Sequence, residues 1–452
     1  MLHGAMPARE REEAWRRARA GEVQAVFGTT LALLAPLPDL SLVVVEEEGS
    51  DAFKLPGGSR LFLPDGAALR ARASGARLVL TGSVPAVESL PLPGVVLAPP
   101  RARLHVVNYA GAPDNPETGP LSNQPRSGAQ GWPLSTELKR LLRQVAERGR
   151  QAVLVTPRRG YSAVLRCHDC GWVPYCPNCD VPLRLHAAQS RLQCHQCGFQ
   201  SRAPEECPSC HGSVLAPRGP GSEWVHAELR RFLPDTPAYR YDRDRRDDLA
   251  PLMAGEPGVV AGTSAVLALP APPDLALVAL TFADTFVTHS DFRAGERFHA
   301  LLRRLLEWHP TRAPLTLVQT FLAKHPALRS VEAGQDAAAY PLLELASREK
   351  LGYPPFALLA QVQVAGRRAV DADRAATELA ALIRDRGAGL HDLLGPAPAP
   401  IPRIKGLFAY HMLVRAPDEA RLAHLLEPAR RYRGTARVRI DVNPREFSDL
   451  LE

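Results

Sequence analysis

The period of hydrophobic and polar positions changes several times along this chain, and the changes divide it into parts. "PAREREEAWRRARAGE" scatters a few apolar residues among charges at helical spacing and stops near Gly21, which predicts a charged helix. "VQAVFGTT", "DLSLVVVEEEGSD" and "ARLVLTGSVPAVES" each hold a short apolar run closed by small or acidic residues. They predict strands, and their alternation with helical stretches over residues 1–90 predicts an α/β layer on a parallel sheet. Residues 109–133 are rich in Pro, Gly, Ser and Asn and have no period, so they predict a linker. A helix with an Arg-rich face follows over about 134–149, then the strand "QAVLVTP", then a cysteine-rich segment.

Beyond that segment, "EWVHAELRRFLP" reads as a helix and "AYRYDRDRRDD" as a strand ending in mixed charge. "GVVAGTSAVLAL" and "LALVALTFAD" read as two further apolar strands. A second helix with an Arg-rich face spans about 293–308. From about residue 340 the order becomes "ELASREKLGYPPFALLAQVQV", a helix at about 370–386, and the strands "AYHMLVRA" and "ARVRIDV". That is an α+β pattern unlike what precedes it.

A chain of 452 residues suggests about three domains. Hydrophobic content of 45% is ordinary for a soluble protein. No run of about 18 apolar residues occurs, and "MLHGAMPARERE" lacks an apolar signal core, so a cytoplasmic protein without membrane attachment is expected. Net charge is +7 and the pI about 9.1, which permits a polyanionic partner. Of the 55 basic residues only Lys54, Lys139, Lys324, Lys350 and Lys405 are lysines. Arginine grips phosphate with a planar fork and stacks on bases, although a general bias toward Ala, Arg, Pro and Gly gives the same count.

Candidate chemistry is concentrated in eight cysteines, which form four CxxC pairs: Cys167/Cys170, Cys176/Cys179, Cys194/Cys197 and Cys207/Cys210. One CxxC turn aims two thiolates at one point, and two such turns complete a tetrahedral site. Four turns therefore imply two zinc ions per chain. Disulfides are the competing reading, but no cysteine lies elsewhere and no secretory leader is seen, which fits a reducing compartment. His168, His186, His195 and His211 lie close by, and any one is able to replace a cysteine. Four thiolates per ion is the closed, structural pattern, so surface histidines are the better reading. The segment is too small to bury much of a core, and metal binding would supply its folding free energy. Spacing alone leaves nested and sequential pairing of the turns both open.

Taken together, these residues resemble the primosomal protein N′ (PriA) family, which restarts stalled replication forks. The likeness is strongest in "RRGYSAVLRCHDCGWVPYCPNCDVPLRLHAAQSRLQCHQCGFQSRAPEECPSC" (158–210), where pair order and intervals match. It continues through "YRYDRDR", "SDFRAGER" (290–297), "SREKLGYPPF" (347–356), "LLGPAPAP" (393–400) and "RIKGLFAYHMLV" (403–414). Upstream, Leu2-His3-Gly4 and Val26-Phe27-Gly28-Thr29 correspond to family stretches.

The resemblance implies RecA-like superfamily 2 helicase lobes, here degenerate, with an inserted double zinc ribbon and a small α+β C-terminal domain. Residues 1–105 would be a remnant of the first lobe, 106–133 a linker, 134–339 the second lobe with a zinc-binding insertion at 165–212, and 340–452 the C-terminal domain. It also implies nested zinc pairing, with Cys167, Cys170, Cys207 and Cys210 on one ion and Cys176, Cys179, Cys194 and Cys197 on the other.

Several motor motifs depart from the family. No GxxxxGK[ST] phosphate loop occurs in the sequence. Glu46-Glu47-Glu48-Gly49-Ser50 stands where the family has DEEHD, and Thr81-Gly82-Ser83-Val84-Pro85-Ala86 where it has GSATPS. "GTSAVLALPAP" (262–272) replaces GTQMLAKGHDF, and "LLEWHPTRAP" (305–314) replaces QVAGRAGR, leaving Arg303, Arg304 or Arg312 as weak finger candidates. The expectation is therefore a protein that is not an enzyme, with no ATP or Mg²⁺ bound and the acids at 46–48 a solvated strand end.

On that reading the protein binds stalled or abandoned forks and promotes reloading of the replicative helicase. The implied partners are forked and single-stranded DNA, single-strand DNA-binding protein, and the replicative helicase or its loader with other primosome proteins. The alternative is an ATP-dependent 3′→5′ DNA helicase whose N-terminal part is missing; a distant one is a zinc-ribbon RNA-binding protein. Localisation would be cytoplasmic, at the nucleoid.

DNA-contact candidates are Arg158, Arg159, Arg184 and Arg191, interleaved with Trp172 and Tyr175. Phe199 belongs to the same set of aromatics, which either stack on bases or pack on the ribbons; the sequence does not choose. "RRYRGTARVRI" (430–440) is the densest basic run, and it suits DNA, an acidic peptide tail, or a solvated strand edge. Ala409 stands where the family often has arginine.

Overall fold

The structure, a computed structural model, describes residues 1–55, 60–92, 104–108, 134–157, 164–167, 172, 174–177, 183–186, 191–193, 199–213, 215–218, 221–287, 292–309, 314–320 and 322–445. The N-terminal unit runs α1 (Ala8–Arg19), α2 (Thr30–Leu33), β1 (Leu42–Val45), α3 (Leu63–Ser74) and β2 (Arg77–Leu80). Strands β1 and β2 pair in parallel, from Leu42 with Arg77 to Val45 with Leu80, and α3 connects them. The strand expected at "VQAVFGTT" is reduced to one parallel bridge between Leu2 and Gly28. A Cβ at Gly28 would lie 1.8 Å from the Leu2 carbonyl oxygen, so only glycine allows this approach, and Thr30 then starts α2.

A larger α/β body follows. It begins with β3 (Leu104–Asn108), α4 (Thr136–Glu147) and β4 (Gln151–Thr156). The cysteine-rich segment then inserts β5 (Val164–Cys167), β6 (Arg184–His186), β7 (Arg191–Gln193), β8 (Gln200–Arg202) and β9 (Leu215–Arg218). The body resumes with α5 (Ser222–Phe232), β10 (Ala238–Tyr241), α6 (Ala250–Met253), β11 (Gly258–Thr263) and β12 (Leu275–Leu280). It closes with α7 (Asp284–Val287), α8 (Ala294–Glu307), β13 (Leu315–Thr320), α9 (Pro326–Glu332) and α10 (Ala339–Leu351).

Its sheet is parallel throughout, in the order β10-β11-β4-β12-β13-β3. The central strand β4 is buried at every position, which is why its middle, "AVLV", is an unbroken apolar run. One face packs Val153, Val260, Val278 and Val318 under Phe298, Leu302 and Leu305 of α8. The other packs Leu154, Ala261 and Ala279 under Leu138 and Leu142 of α4 and Leu229 of α5. Ser135 caps α4 by accepting from the Leu138 amide at 3.0 Å. The boundary expected at residue 105 falls inside β3, whose residues complete the edge of this sheet; residues 109–133 lie outside the described residues.

The C-terminal unit is β14 (Leu358–Gly366), α11 (Ala369–Asp385), β15 (Leu393–Ile404), β16 (Leu407–Ala416), α12 (Glu419–Arg430) and β17 (Arg437–Val442). Its antiparallel sheet has the order β15-β16-β14-β17. The proline-rich "LLGPAPAPIPRI" is tolerated as a strand because β15 lies at an edge, where missing N–H groups cost no ladder bond. Ala360, Val362 and Val364 of β14 face α11 and α12. The alternate residues Leu359, Gln361, Gln363 and Ala365 are also buried, so the opposite face is covered too.

Two neighbours cover that opposite face. At one end, Ala365, Ala399, Ile404 and Ala409 form a single apolar cluster with Leu165, Leu183 and Leu192 of the cysteine-rich segment. At the other, buried Asp441 of β17 takes Lys54 at 2.8 Å and Arg60 at 3.0 Å from the N-terminal unit. Lys54 also donates to the Val442 and Asn443 carbonyls, and Arg445 reaches Asp51 and the Gly49 carbonyl.

Where the units meet lies a buried ion network. Arg293, at the start of α8, contacts Glu88 at 2.5 Å and Glu296 at 3.2 Å. Arg348, on α10, contacts the same two carboxylates at 3.0 and 2.9 Å and also Glu344 at 3.2 Å. Glu296 accepts the Val87 amide as well, and the Phe292 ring lies under both guanidiniums. Burial opposes ionisation of Glu296, but the charges of Arg293, Arg445 and Arg348 outweigh it and hold the carboxyl near 2.

Glu296→Ala would leave two buried guanidiniums sharing Glu88, and a loss of about 3–5 kcal/mol in urea unfolding is expected. Glu296 lies below its ordinary value of 4.5 in the folded state, so its contribution is present above that pH and lost as pH falls toward about 2. Acid titration of stability should show that loss in the wild type and a smaller one in Glu296→Ala.

Candidate metal centre and nucleic-acid interface

The cysteine-rich segment folds as a five-stranded antiparallel sheet in the order β8-β7-β6-β5-β9, with strands of three or four residues. Strands this short bury little, so the turns between them must be held by something other than a core. Cys167 ends β5, and its amide donates to the Trp172 carbonyl at 2.9 Å, closing the first ligand turn. The Cys207 amide donates to the Gly212 carbonyl at 3.0 Å and the His211 amide to the Cys207 carbonyl at 2.9 Å, closing the last. His211 takes a left-handed φ of 59° there.

These turns bring the sulfurs of Cys167, Cys207 and Cys210 within 4.8 Å of one another, with Cys167 Sγ and Cys210 Sγ 3.5 Å apart. A tetrahedral zinc with Zn–S near 2.3 Å sets its sulfurs about 3.8 Å apart, so the three thiolates fit zinc as they stand. The first and last CxxC turns therefore meet across 43 positions of sequence. Cys170 lies outside the described residues, as do Cys179, Cys194 and Cys197. Cys176 is buried, in the apolar cluster shared with the C-terminal sheet. His211 is exposed and lies 3.5 Å from Glu206, away from the sulfurs as a ligand; His168 and His195 lie outside the described residues.

Of the DNA-contact candidates, Arg158 and Arg159 lie outside the described residues. Arg184 sits on β6, opposite Gln193. Arg191 on β7 is half-buried and donates to Gln200 at 2.8 Å. The aromatics divide. Trp172 and Phe199 pack against the cluster between the cysteine-rich sheet and the C-terminal sheet, which is the packing reading. Tyr175 is 62% exposed and free to stack on a base. Ala409 is buried in the same cluster, where an arginine would have no water; its place in the seam accounts for the residue type.

In "RRYRGTARVRI", Arg437 and Arg439 lie on the edge strand β17, while Arg431 pairs with Glu427 at 2.9 Å.

The acids after β1 are not all a solvated strand end. Glu46 and Glu47 are exposed, as a solvated strand end should be, but Glu48 is buried. It accepts the Ala86 amide at 3.0 Å and the Ser89 hydroxyl, so it ties the end of β1 to the loop after β2. Burial pushes its carboxyl up, against those two hydrogen bonds. Arg303 and Arg304 donate to the Gln335 and Leu267 carbonyls, so both hold the body together; Arg312 lies outside the described residues.

Sequence reasoning missed the network of Glu88, Arg293, Glu296 and Arg348. Its signal was present in "SDFRAGER" and "SREKLGYPPF", two family signatures whose charged residues the fold brings into contact.

Two family models match the chain. The primosomal protein N C-terminal domain covers residues 349–445, and the PriA DNA helicase Cys-rich region domain covers 176–202. The probable replication restart protein PriA of Deinococcus radiodurans is 56% identical over 98% of this chain and 48% of its own length. The replication restart protein PriA of Bacillus subtilis is 28% identical over 94% of this chain and 54% of its own. That of Treponema pallidum is 31% identical over 92% and 64%. The chain thus spans about half the length of the Deinococcus and Bacillus relatives.

These likenesses overturn the expectation of a protein that is not an enzyme. The Cys-rich model is that of a DNA helicase, and the match to the Deinococcus protein, 56% identical overall, spans 98% of the chain.

Trp172→Ala should cost about 2–3 kcal/mol in urea unfolding, less than the full cost of a core tryptophan because the ring is half-buried. Tyr175→Ala should stay within about 0.5 kcal/mol of wild type. Equal costs would contradict the division of the aromatics.

Proposed function

The chain belongs to the PriA replication-restart family, and from that premise we propose that it binds stalled or abandoned replication forks and promotes reloading of the replicative helicase. The 56% identity over 98% of the chain carries this reading. ATP-driven 3′→5′ unwinding is the activity that goes with it, assigned to a protein of family length, of which these residues span about half.

The cysteine-rich segment would hold two zinc ions in nested fashion. Cys167, Cys170, Cys207 and Cys210 form one four-thiolate site, which the proximity of three of their sulfurs supports. Cys176, Cys179, Cys194 and Cys197 form the other. Both ions are structural: four thiolates leave no open position for substrate or water.

DNA would be met by Arg158, Arg159, Arg184 and Arg191, which neutralise phosphate, and by Tyr175, whose exposed ring offers a stacking platform. The basic run 430–440 suits the acidic tail of single-strand DNA-binding protein, and the replicative helicase or its loader completes the set of partners. Among the described residues no helix is long and apolar enough to cross a membrane. The proposed place of action is the cytoplasm, at the nucleoid.

Fluorescence anisotropy with forked and fully duplex DNA of equal length tests the central reading. Forks should be preferred about tenfold or more, about 1.4 kcal/mol. Equal affinity contradicts it. Metal analysis should find about two zinc ions per chain, and Cys210→Ser should remove one of them. One ion per chain in the wild type, or two in Cys210→Ser, contradicts the ligand sets.

A further inference from the structure

The C-terminal sheet has two edges, and they are built differently. On β15 the prolines at 396, 398, 400 and 402 remove alternate N–H groups, so an incoming strand would find no run of donors there. On β17 no strand pairs with the outer side among the described residues. The Asn443 amide donates to the Leu359 carbonyl at 2.7 Å, one step beyond the pair Ala360–Val442. Bonded and non-bonded pairs alternate along an antiparallel ladder. Arg437, Arg439 and Asp441 therefore bond inward to β14, while Val438, Ile440 and Val442 turn N–H and C=O outward. Lys54 takes the Val442 carbonyl at 2.7 Å, as that phase requires, which leaves the backbone of Val438 and Ile440 facing out. Their side chains pack against the core beneath α11 and α12, so the edge is held in place. Arg437 and Arg439 lie on the opposite face, and Arg437 is exposed, as are Arg430 and Arg433 just before β17.

We propose that β17 takes up an extended acidic peptide as a further strand of the C-terminal sheet. This rests on the assignment of the run 430–440 to an acidic peptide. Val438 and Ile440 exchange N–H and C=O bonds with the peptide backbone, and its alternate acidic side chains lie beside Arg437 and Arg439. Nucleic acid suits this edge less well. Phosphate oxygens only accept hydrogen bonds, so they would leave the Val438 and Ile440 carbonyls unpaired and facing negative charge. The clasp of Lys54 on Asp441 and on the Val442 carbonyl marks where the added strand must end.

Fluorescence anisotropy on the full chain tests this with a labelled peptide of about eight residues that alternates aspartate and valine. Arg437→Glu should raise its Kd about tenfold or more. Two further peptides separate strand addition from charge attraction, one N-methylated at every aspartate amide and the other at every valine amide. Only alternate amides face β17, so one of the two should bind about tenfold or more weakly and the other within about twofold of the parent. Hydrogen exchange at the Val438 and Ile440 amides should slow about tenfold or more when the parent peptide saturates the protein.

No binding of the parent peptide would overturn the acidic-peptide reading, and the added strand with it. Equal effects of the two methylated peptides, or binding that leaves exchange at Val438 and Ile440 unchanged, would overturn the strand and keep the reading. Slowed exchange with single-stranded DNA in place of the peptide would give the edge to nucleic acid and overturn the proposal. If Arg437→Glu does not fold, the methylated peptides on the wild type decide.

Discussion

Four charged side chains, Glu88, Arg293, Glu296 and Arg348, fix how the parts of this protein sit together. Two carboxylates and two guanidiniums meet where Glu88 of the loop after β2, the start of α8 and the helix leading to the C-terminal unit converge. Arg293 and Arg348 are almost wholly buried, at 0% and 1% exposure. Burying ions so completely is costly, and the cost is offset only when every charge has partners in good geometry. That requirement makes the arrangement specific. A small displacement of any one element would strand a charge, so the elements hold one relative position instead of a range.

The C-terminal sheet repeats the same logic with different chemistry. A four-stranded antiparallel sheet usually shows one face to water, but here helices cover one face and two other units share the second. Asp441 anchors the N-terminal unit through Lys54 and Arg60, and the alanines at 365, 399 and 409 make room for the leucines of the cysteine-rich sheet. An ionic clasp and an apolar seam thus lie on one surface, and the cysteine-rich insertion, far from being an appendage, is part of how the C-terminal domain is held.

Much of this was legible in the sequence, and the reasons are physical. The strands β4, β11 and β12 were visible because a parallel sheet covered on both faces demands continuous apolar runs, and the helices at 134–149 and 293–308 because one face of each is buried. Strand β3 escaped notice because, among the described residues, it is an edge strand whose partner, β13, lies more than 200 residues away. Strand β15 was obscured by its prolines, which edge position alone makes acceptable. At the site, cysteine spacing announced the zinc chemistry but left the pairing open. The meeting of Cys167 with Cys207 and Cys210 is a tertiary fact. The pairing within the ion network is a tertiary fact of the same kind. Its members lie at 88, 293, 296 and 348, and nothing local distinguishes a buried arginine from the many solvated ones in so arginine-rich a chain. Glu48 shows the converse error, since an acid in a run of acids looks solvated until its partners Ala86 and Ser89 are seen.

A double-mutant cycle between Glu88 and Arg348 tests this account most directly, because the pair joins the N-terminal unit to the helix before the C-terminal domain. With Glu88→Gln, Arg348→Met and the double variant followed by urea unfolding, the account predicts a coupling of about 1.5 kcal/mol or more. Additive effects, within about 0.5 kcal/mol, would show that the charges act independently and would contradict a network that fixes the units.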